Sequence, residues 1–539
     1  MTELWLNNTL VDIDDKTVIG FEIQTYDIKD PGRPKTIISN NFTIPRTSTN
    51  LRVVGFPDNS QTDESTIYSK ISVRYLVDNE IFIENARARV EQVSDRIEIF
   101  IYRKDDFWDL LKQVKIKDIA QELLEYLCTQ YDLPTVDNKY TGDIGGFVGL
   151  INSTTRGLLL PYYFSNLANF KNEGDTKYFE SPDVITLADG DKQGGHICIY
   201  ALDIIKFIEQ KYSVNFCVDE TFDGNLFTDD YASKIFTPFQ NITVYNYYGW
   251  YFGIKSATDV YSPMDDIDPK ADKSLYDYLI GYFKHFNALI DYVFEDGNYK
   301  YKCYRFDDIL TKGDIKNWSG INKDKMTFKP IISGFGQKSY IKYGSVFDGG
   351  SEFLNSKTIL VANENIDSEA DIMTIDGHIS GFTKSLNNKL IPVLSDEAAF
   401  NNFEYLIDSG ETESVDIYHN SNVASGVTLI VPGYYDISSE YQVFAAMVNK
   451  PKIYEVEKWL TLTDIRNLKF FSQYFIEELG GSFFLNKITG FNPASRNTPT
   501  KLELIKISNA VPPIEINGNY WIDGKTNKFT DGKGNYFIW

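Results

Sequence analysis

His196 and Cys198 stand two residues apart, the closest approach to a metal-ligand spacing in the chain. On a strand, residues two apart share a face, so both could reach one ion. A zinc site needs three or four such ligands, and no second pair stands at ligand spacing. His285, His378 and His419 complete the four histidines, and none lies in an HExxH sequence or follows a nucleophile motif. Two acidic clusters offer hard oxygens for calcium: Asp189 with Asp191, and Asp265, Asp266, Asp268 with Asp272. Neither has the glycine and closing glutamate of a calcium-binding helix–loop–helix, and they read as solvated loops. No glycine-rich phosphate loop is present. Paired carboxylates for sugar cleavage are defined by distance in space rather than by spacing, so 76 acidic residues carry no specific signal for them. No catalytic residue, cofactor or metal is therefore assigned.

The elements that would position any such chemistry are mostly strands. Ile71, Val73, Tyr75 and Val77 alternate with polar residues up to Asp78-Asn79, followed by Ile81 and Ile83, then Ile97, Ile99 and Ile101. Ala86, Ala88 and Val90 alternate with Arg87 and Arg89 in the same period. Period two with one wet face predicts an antiparallel meander or barrel. Asp118 is a candidate cap for a helix carrying Ile119, Leu123, Leu124 and Leu127. A second helix is expected from about Ile199 to Tyr212, with Leu202, Ile205 and Ile208 inward. A third should start after Ser274 and carry Leu275, Leu279, Tyr282, Phe283 and Phe286. It leads into Leu289–Phe294, Asp296-Gly297 and Asn298–Phe306, the pattern of a hairpin closed on an Asp-Gly turn. Asp137–Gly149 and Ala188–Gly195 are turn-rich loops. Later candidate strands are Ser339–Tyr343, Lys357–Val361, Val427–Val431, Ile453–Thr461 and Lys501–Ile507, with a hairpin at Tyr474–Leu479, Gly480-Gly481 and Ser482–Thr489.

These patterns predict an α+β, β-dominated fold: two or more antiparallel β-barrel or sandwich domains with a mixed α/β middle region. The expected units are 1–115 (N-terminal β domain), 116–235 (α+β region), 236–333 (helix plus β-hairpin), 334–511 (C-terminal β domain) and 512–539 (aromatic extension). In that extension Gly518-Asn519-Tyr520 recurs as Gly534-Asn535-Tyr536, with Asp523-Gly524 and Asp531-Gly532 between. An isolated hairpin of two short strands is marginal in water. Tyr520, Trp521, Phe537 and Trp539 are thus candidate interaction residues, docking on the parent chain or on a neighbouring subunit.

Composition narrows the function. Fifty-three Lys and Arg against 76 Asp and Glu give a formal charge of −23, which argues against a phosphate-gripping DNA binder. Acidity is ordinarily a matter of solubility; an acidic wall would also let a passing duplex slide by without sticking. Aromatic residues make up 15% of the chain, divided between cross-strand pairs and subunit interfaces. Four scattered cysteines, Cys128, Cys198, Cys217 and Cys303, form neither a disulfide framework nor a zinc site. The first residues show no basic region followed by an apolar one, and no stretch reaches the roughly 18 apolar residues of a membrane helix. Synthesis and first folding are expected in a cytoplasm, without membrane insertion.

Several segments, taken in order, resemble structural tail proteins of bacteriophages that infect Bacteroides-type hosts. They are Leu4-Trp5-Leu6-Asn7-Asn8 with Val11-Asp12-Ile13-Asp14, Ser39–Pro45 with Thr49-Asn50-Leu51, Asp105–Leu111, Ala201–Tyr212, Lys487-Ile488-Thr489 and Leu502–Lys506. Spread this way, the resemblance reaches to about residue 507. The group it is most similar to is the tail-hub family of crAss-like phages. That resemblance implies a virion protein with β-barrel domains around a central channel and a homo-oligomeric ring. It implies contacts with other tail proteins and fibres, DNA passing through without sequence-specific binding, and no catalytic residues. The alternatives are a tail-associated glycan or peptidoglycan hydrolase and a carbohydrate-binding module, which needs exposed Tyr and Trp in a flat platform.

Overall fold

The computed structural model describes residues 2–24, 36–56, 69–103, 106–131, 158–159, 164–165, 170–173, 176–179, 184–186, 192–194, 198–216, 235–238, 242–246, 250–254, 274–295, 298–330, 332–346, 357–379, 382–384, 390–394, 406–419, 422–434, 440–495 and 498–507. Among them strands predominate and helices are few, an α+β, β-dominated architecture.

The largest sheet among the described residues has fourteen strands. Its first half follows from the alternation of its sequence. Ile71, Val73, Tyr75 and Val77 are buried on Ile71–Val77, as are Ile97, Ile99 and Ile101 on Arg96–Tyr102. Asp78 (φ 51°) and Asn79 (φ 64°) turn the chain into Glu80–Val93. Positive φ at both turn residues matches the right-handed twist of the strands they join, and Asn and Asp tolerate it best. Ile81 departs from the expected alternation: it is 42% exposed. Tyr75 pairs with Ile83 but Leu76 with Ile81, so Phe82 is the extra residue of a bulge. The bulge turns Phe82 towards Phe21, 4.9 Å between ring centroids.

This half-sheet curls. Thr2–Leu6, Ile71–Val77, Glu80–Val93, Arg96–Tyr102 and Phe42–Pro45 lie side by side, which if flat would separate the outer two by about 19 Å. Yet Val11 N–H donates to Leu4 O, and the next residue, Asp12, is bound at both its N–H and its C=O by the Asn50 side chain. The same side chain donates to Pro45 O at 2.8 Å. One residue step and one asparagine, about 10 Å, therefore bridge the two outer strands. Arg96 ties Asp14 through both terminal nitrogens at 2.7 and 2.8 Å, closing the same seam.

A second curl is built from the other end of the chain. The ladder runs Ile315–Asn317, Gln473–Ile476, Gly481–Phe491, Thr500–Lys506, Ile453–Lys458, Asn322–Lys329. Six flat strands would span about 24 Å, whereas the chain from Asn317 to Asn322 reaches at most about 18 Å. The connecting residues are bonded to the curl: Trp318 N–H donates to Phe475 O at 2.8 Å and Gly320 N–H to Glu478 Oε1 at 2.6 Å. The Trp318 ring lies 4.6 Å from that of Tyr474. Among the described residues neither curl closes into a hydrogen-bonded barrel.

Phe21–Gln24 joins the two halves by pairing with Gly481–Phe491, so both curls share one hydrophobic core. Gly481–Phe491 and Thr500–Lys506 each bury side chains on both faces. Phe483, Leu485, Leu502 and Leu504 face that shared core, while Phe484, Ile505 and Ile453 face a second one. The second core contains the helices Ile116–Gln130, Ala201–Tyr212, Leu275–His285 and Gln442–Asn449 and the hairpin Ala288–Glu295/Asn298–Arg305.

Leu275–His285 begins as the sequence predicts: Ser274 Oγ accepts from Asp277 N at 3.1 Å, and Asp277 accepts from Ser274 N, a reciprocal cap. Leu202, Ile205 and Ile208 of Ala201–Tyr212 are buried. Asp118 is not itself the cap of its helix. The helix starts at Ile116, two residues earlier, and Asp118 reaches back from the first turn to accept Lys115 N at 3.3 Å. The Asp296-Gly297 turn, both glycine- and acid-rich loops apart from a short strand at Lys192–Gly194, and the 512–539 extension lie outside the described residues.

Candidate interaction surface

Among the described residues, those singled out for chemistry do not converge. His285 is fully buried in its helix, its ring 5.4 Å from that of Phe286. Burial pulls its pKa down to about 3, so it is neutral near pH 7. His378 lies in the strand Glu369–Ile379 and His419 ends the strand Leu406–His419, each in a different sheet. Cys303 is buried opposite Ile290 in its hairpin, and Cys198 pairs with Pro238. His196, Cys217 and both acidic clusters lie outside the described residues. Among the described residues no three His, Cys, Asp or Glu side chains are grouped to hold a metal ion.

Several buried and half-buried carboxylates have structural partners. Asp203, fully buried, accepts from the Tyr131 hydroxyl. Glu440 pairs with Arg305 at 3.2 Å. Asp307 accepts from Val443 N at 2.7 Å and Phe444 N at 2.9 Å, capping Gln442–Asn449. No helix among the described residues is long and apolar enough to cross a membrane.

What the geometry does present is an open sheet edge. Asn322–Lys329 ends the large sheet, pairing on one side with Ile453–Lys458 and on the other with no strand among the described residues. Pairing slips between Asn322 opposite Glu457 and Thr327 opposite Glu455, five steps on one strand against two on the other. The extra residues stand out from the ladder. As a result Asp324–Lys329 is exposed at every position, on both faces. Met326 (40% exposed) ends the slipped stretch and Phe328 (48%) stands two residues on, where the ladder has resumed. Phe328 is the outer end of an aromatic row, its ring 5.4 Å from Tyr454, whose ring is 5.6 Å from the buried Phe483. On the strand, Lys325 pairs with Glu457 at 3.0 Å and Lys329 with Glu455.

Lysines and a bulge are common guards of a sheet edge against aggregation. A guard needs no apolar side chains, however, and this strand sets Met326 and Phe328 in water on an edge that no strand among the described residues pairs. Such an edge suits a strand added from another segment. The sequence patterns above do not single it out, although Lys325-Met326-Thr327-Phe328-Lys329 alternates polar and apolar residues with period two.

The expected interaction residues Tyr520, Trp521, Phe537 and Trp539 lie outside the described residues. The described chain stops at Ile507, whose N–H donates to Ser482 O, just after Ile505 pairs with Ile453 and Ile453 with Lys329. Ile507 therefore lies about two strand spacings, roughly 10 Å, from the open edge.

No protein-family model matches the chain, and no curated protein does. Among solved structures the chain is similar to a 43 kDa tail protein of prophage MuSo2 from Shewanella oneidensis (TM-score 0.34, 9% identity, covering 94% of this chain and 98% of that one). It is also similar to prophage tail protein gp18 from Listeria monocytogenes EGD-e (TM-score 0.32, 6% identity, 94% of each chain). A third similar structure is a Francisella PdpA-VgrG complex (TM-score 0.30, 11% identity, 98% of this chain and 57% of that one). At these TM-scores the likeness carries no weight for fold or function.

Proposed function

We propose that this chain is a structural subunit of a bacteriophage tail, a hub or adaptor of the kind found in crAss-like phages. Copies of it form a ring around the DNA channel, and the outer surface docks other tail proteins or fibres. The observation that carries this reading is the open edge at Asn322–Lys329, where an exposed ladder and the apolar pair Met326 and Phe328 await a strand from elsewhere. The ordered sequence resemblance from Leu4 to Lys506 supplies the virion context, with assembly in the host cytoplasm. The net charge of −23 suits a conduit that DNA passes without being gripped. The protein acts through surfaces rather than catalysis.

The test is an image of the assembled particle, or of the purified chain with tail extracts, at a resolution sufficient to count subunits and locate a channel. A closed ring with an axial opening is the expected result. A chain that stays strictly monomeric and never co-assembles with tail components overturns the proposal.

A further inference from the structure

We infer that the open edge of each subunit is filled by the C-terminal aromatic segment, 518–539, of a neighbouring copy. This rests on the ring reading and names the contact that would build the ring. Three observations point to this occupant.

The first is position. The last described residue leaves the sheet about 10 Å from the edge strand, and 32 residues follow it. The segment therefore starts beside the kind of surface it would fill.

The second is reach. Pro512 and Pro513 sit in the connection between Ile507 and Gly518. At about 3.1 Å per residue for an extended, proline-containing chain, the ten residues 508–517 can span up to about 31 Å. That length is enough to pass the subunit's own edge and to bring 518–539 within reach of the next copy.

The third is chemistry. Tyr520, Trp521 and Ile522, and Tyr536, Phe537, Ile538 and Trp539, are two apolar runs with strong strand preference. A strand made from either run would bring backbone groups to the side of Asn322–Lys329 that no strand among the described residues pairs, and rings to Met326 and Phe328. Residues 508–539 hold three acids (Glu515, Asp523, Asp531) and three lysines (Lys525, Lys528, Lys533), net zero. In a chain of charge −23 this segment can approach another copy with little repulsion. Because edge and segment are different surfaces, the contact is head-to-tail, and repeating it generates a ring when the rotation closes.

The experiment uses the full chain with Phe328 replaced by p-benzoylphenylalanine, mixed with a mass-tagged unsubstituted copy and irradiated. The expected cross-link joins position 328 to residues 518–539 of the tagged copy, and removing 518–539 from that copy lowers its yield at least tenfold. A cross-link only to the same chain's 518–539 overturns the exchange in favour of self-capping. A cross-link to another region of the tagged copy, unchanged by the deletion, overturns this occupant. A closed ring by native mass that yields no intermolecular cross-link shows that the ring is built elsewhere, overturning the inference while the proposed function stands. A monomeric wild-type chain that never co-assembles removes both.

Discussion

Phe21 stands opposite Phe491 in the antiparallel ladder that joins the first strands of the chain to the last. Around this pair, Phe82 lies 4.9 Å from Phe21 and 5.6 Å from Phe491, and Tyr75 lies 5.9 Å from Phe21. The two curled half-sheets thus meet through one aromatic cluster in addition to a short ladder. This makes the N-terminal meander and the C-terminal strands one sheet and one core.

Phe491→Ala is therefore expected to lower stability by about 3–5 kcal/mol, the range for losing a buried aromatic ring. Ile81→Ser, one residue from Phe82 but on the outside of the bulge, should change it by less than about 0.5 kcal/mol. Urea denaturation followed by tryptophan fluorescence measures both. Equal effects at the two positions would contradict the burial assigned to the bulge.

The contrast between Ile81 and Phe491 also marks how much of the fold the sequence makes legible. Period-two burial of Ile71, Val73, Tyr75 and Val77, the Asp78-Asn79 turn and the Ser274 cap are local consequences of residue type, so the sequence alone displays them. Ile81 shares that alternation, but a one-residue bulge, set by what Phe82 packs against, reverses its face. The pairing of Phe21 with Phe491 depends on a strand from the far end of the chain, and no periodicity encodes a partner. The edge strand is hidden for a related reason: Met326 and Phe328 become informative only once the ladder is seen to stop there. The aromatic extension lies outside the described residues, and its candidacy rests on the sequence argument that two short strands would not bury their own rings.

His285 gives the fold a pH dependence with a definite sign. Its pKa is about 3 in the folded chain against an ordinary value of 6.5, because burial disfavours the charged imidazole. Between those values the unfolded chain binds a proton that the folded one refuses, so stability falls as pH drops from about 6.5 towards 3. Above about 6.5 His285 contributes no slope. The expected contribution across the window is several kcal/mol. In His285→Phe, the loss of stability between pH 7 and pH 5 should be smaller than in the wild type. Parallel stability–pH curves for the two proteins would show that burial of His285 is not what sets its protonation.

Asp307 joins two elements far apart in sequence. It lies in the first turn of one helix, Phe306–Lys312, and its two oxygens accept the N–H groups of Val443 and Phe444, which open another. Gln442–Asn449 has no capping side chain of its own at Tyr441. Asp307→Ala should cost about 1–2 kcal/mol, and Asp307→Asn less, since one oxygen is kept. Hydrogen exchange is the informative readout: the amides of Val443 and Phe444 should lose protection before those of the neighbouring strand Ile453–Lys458. Unchanged protection at 443 and 444 would show that the helix does not depend on this cap.

Asn50 is the sharpest test of the curled N-terminal sheet, because one fully buried side chain there serves three backbone groups. Its amide oxygen takes Asp12 N, and its amide nitrogen gives to Asp12 O and Pro45 O, each at 2.8 Å. Asn50→Leu keeps the volume but leaves those groups without partners in an interior that offers no replacement. Each buried unpaired group costs about 1–3 kcal/mol, and relaxation at the seam will recover part of the sum. A loss of about 2–4 kcal/mol is expected, and Asn50→Asp should cost at least as much, because its buried carboxylate keeps an acceptor for Asp12 N but turns an oxygen on the carbonyls of Asp12 and Pro45. The seam at Asp14 and Arg96 should weaken with it, since that ion pair closes the same gap. Asp14, held well below the usual carboxylate range by the Arg96 guanidinium, should then titrate closer to an ordinary aspartate. NMR titration of the Asp14 carboxyl in the Asn50→Leu chain reads this directly. An Asp14 pKa as low as in the wild type would mean that the ion pair stands without the asparagine bridge.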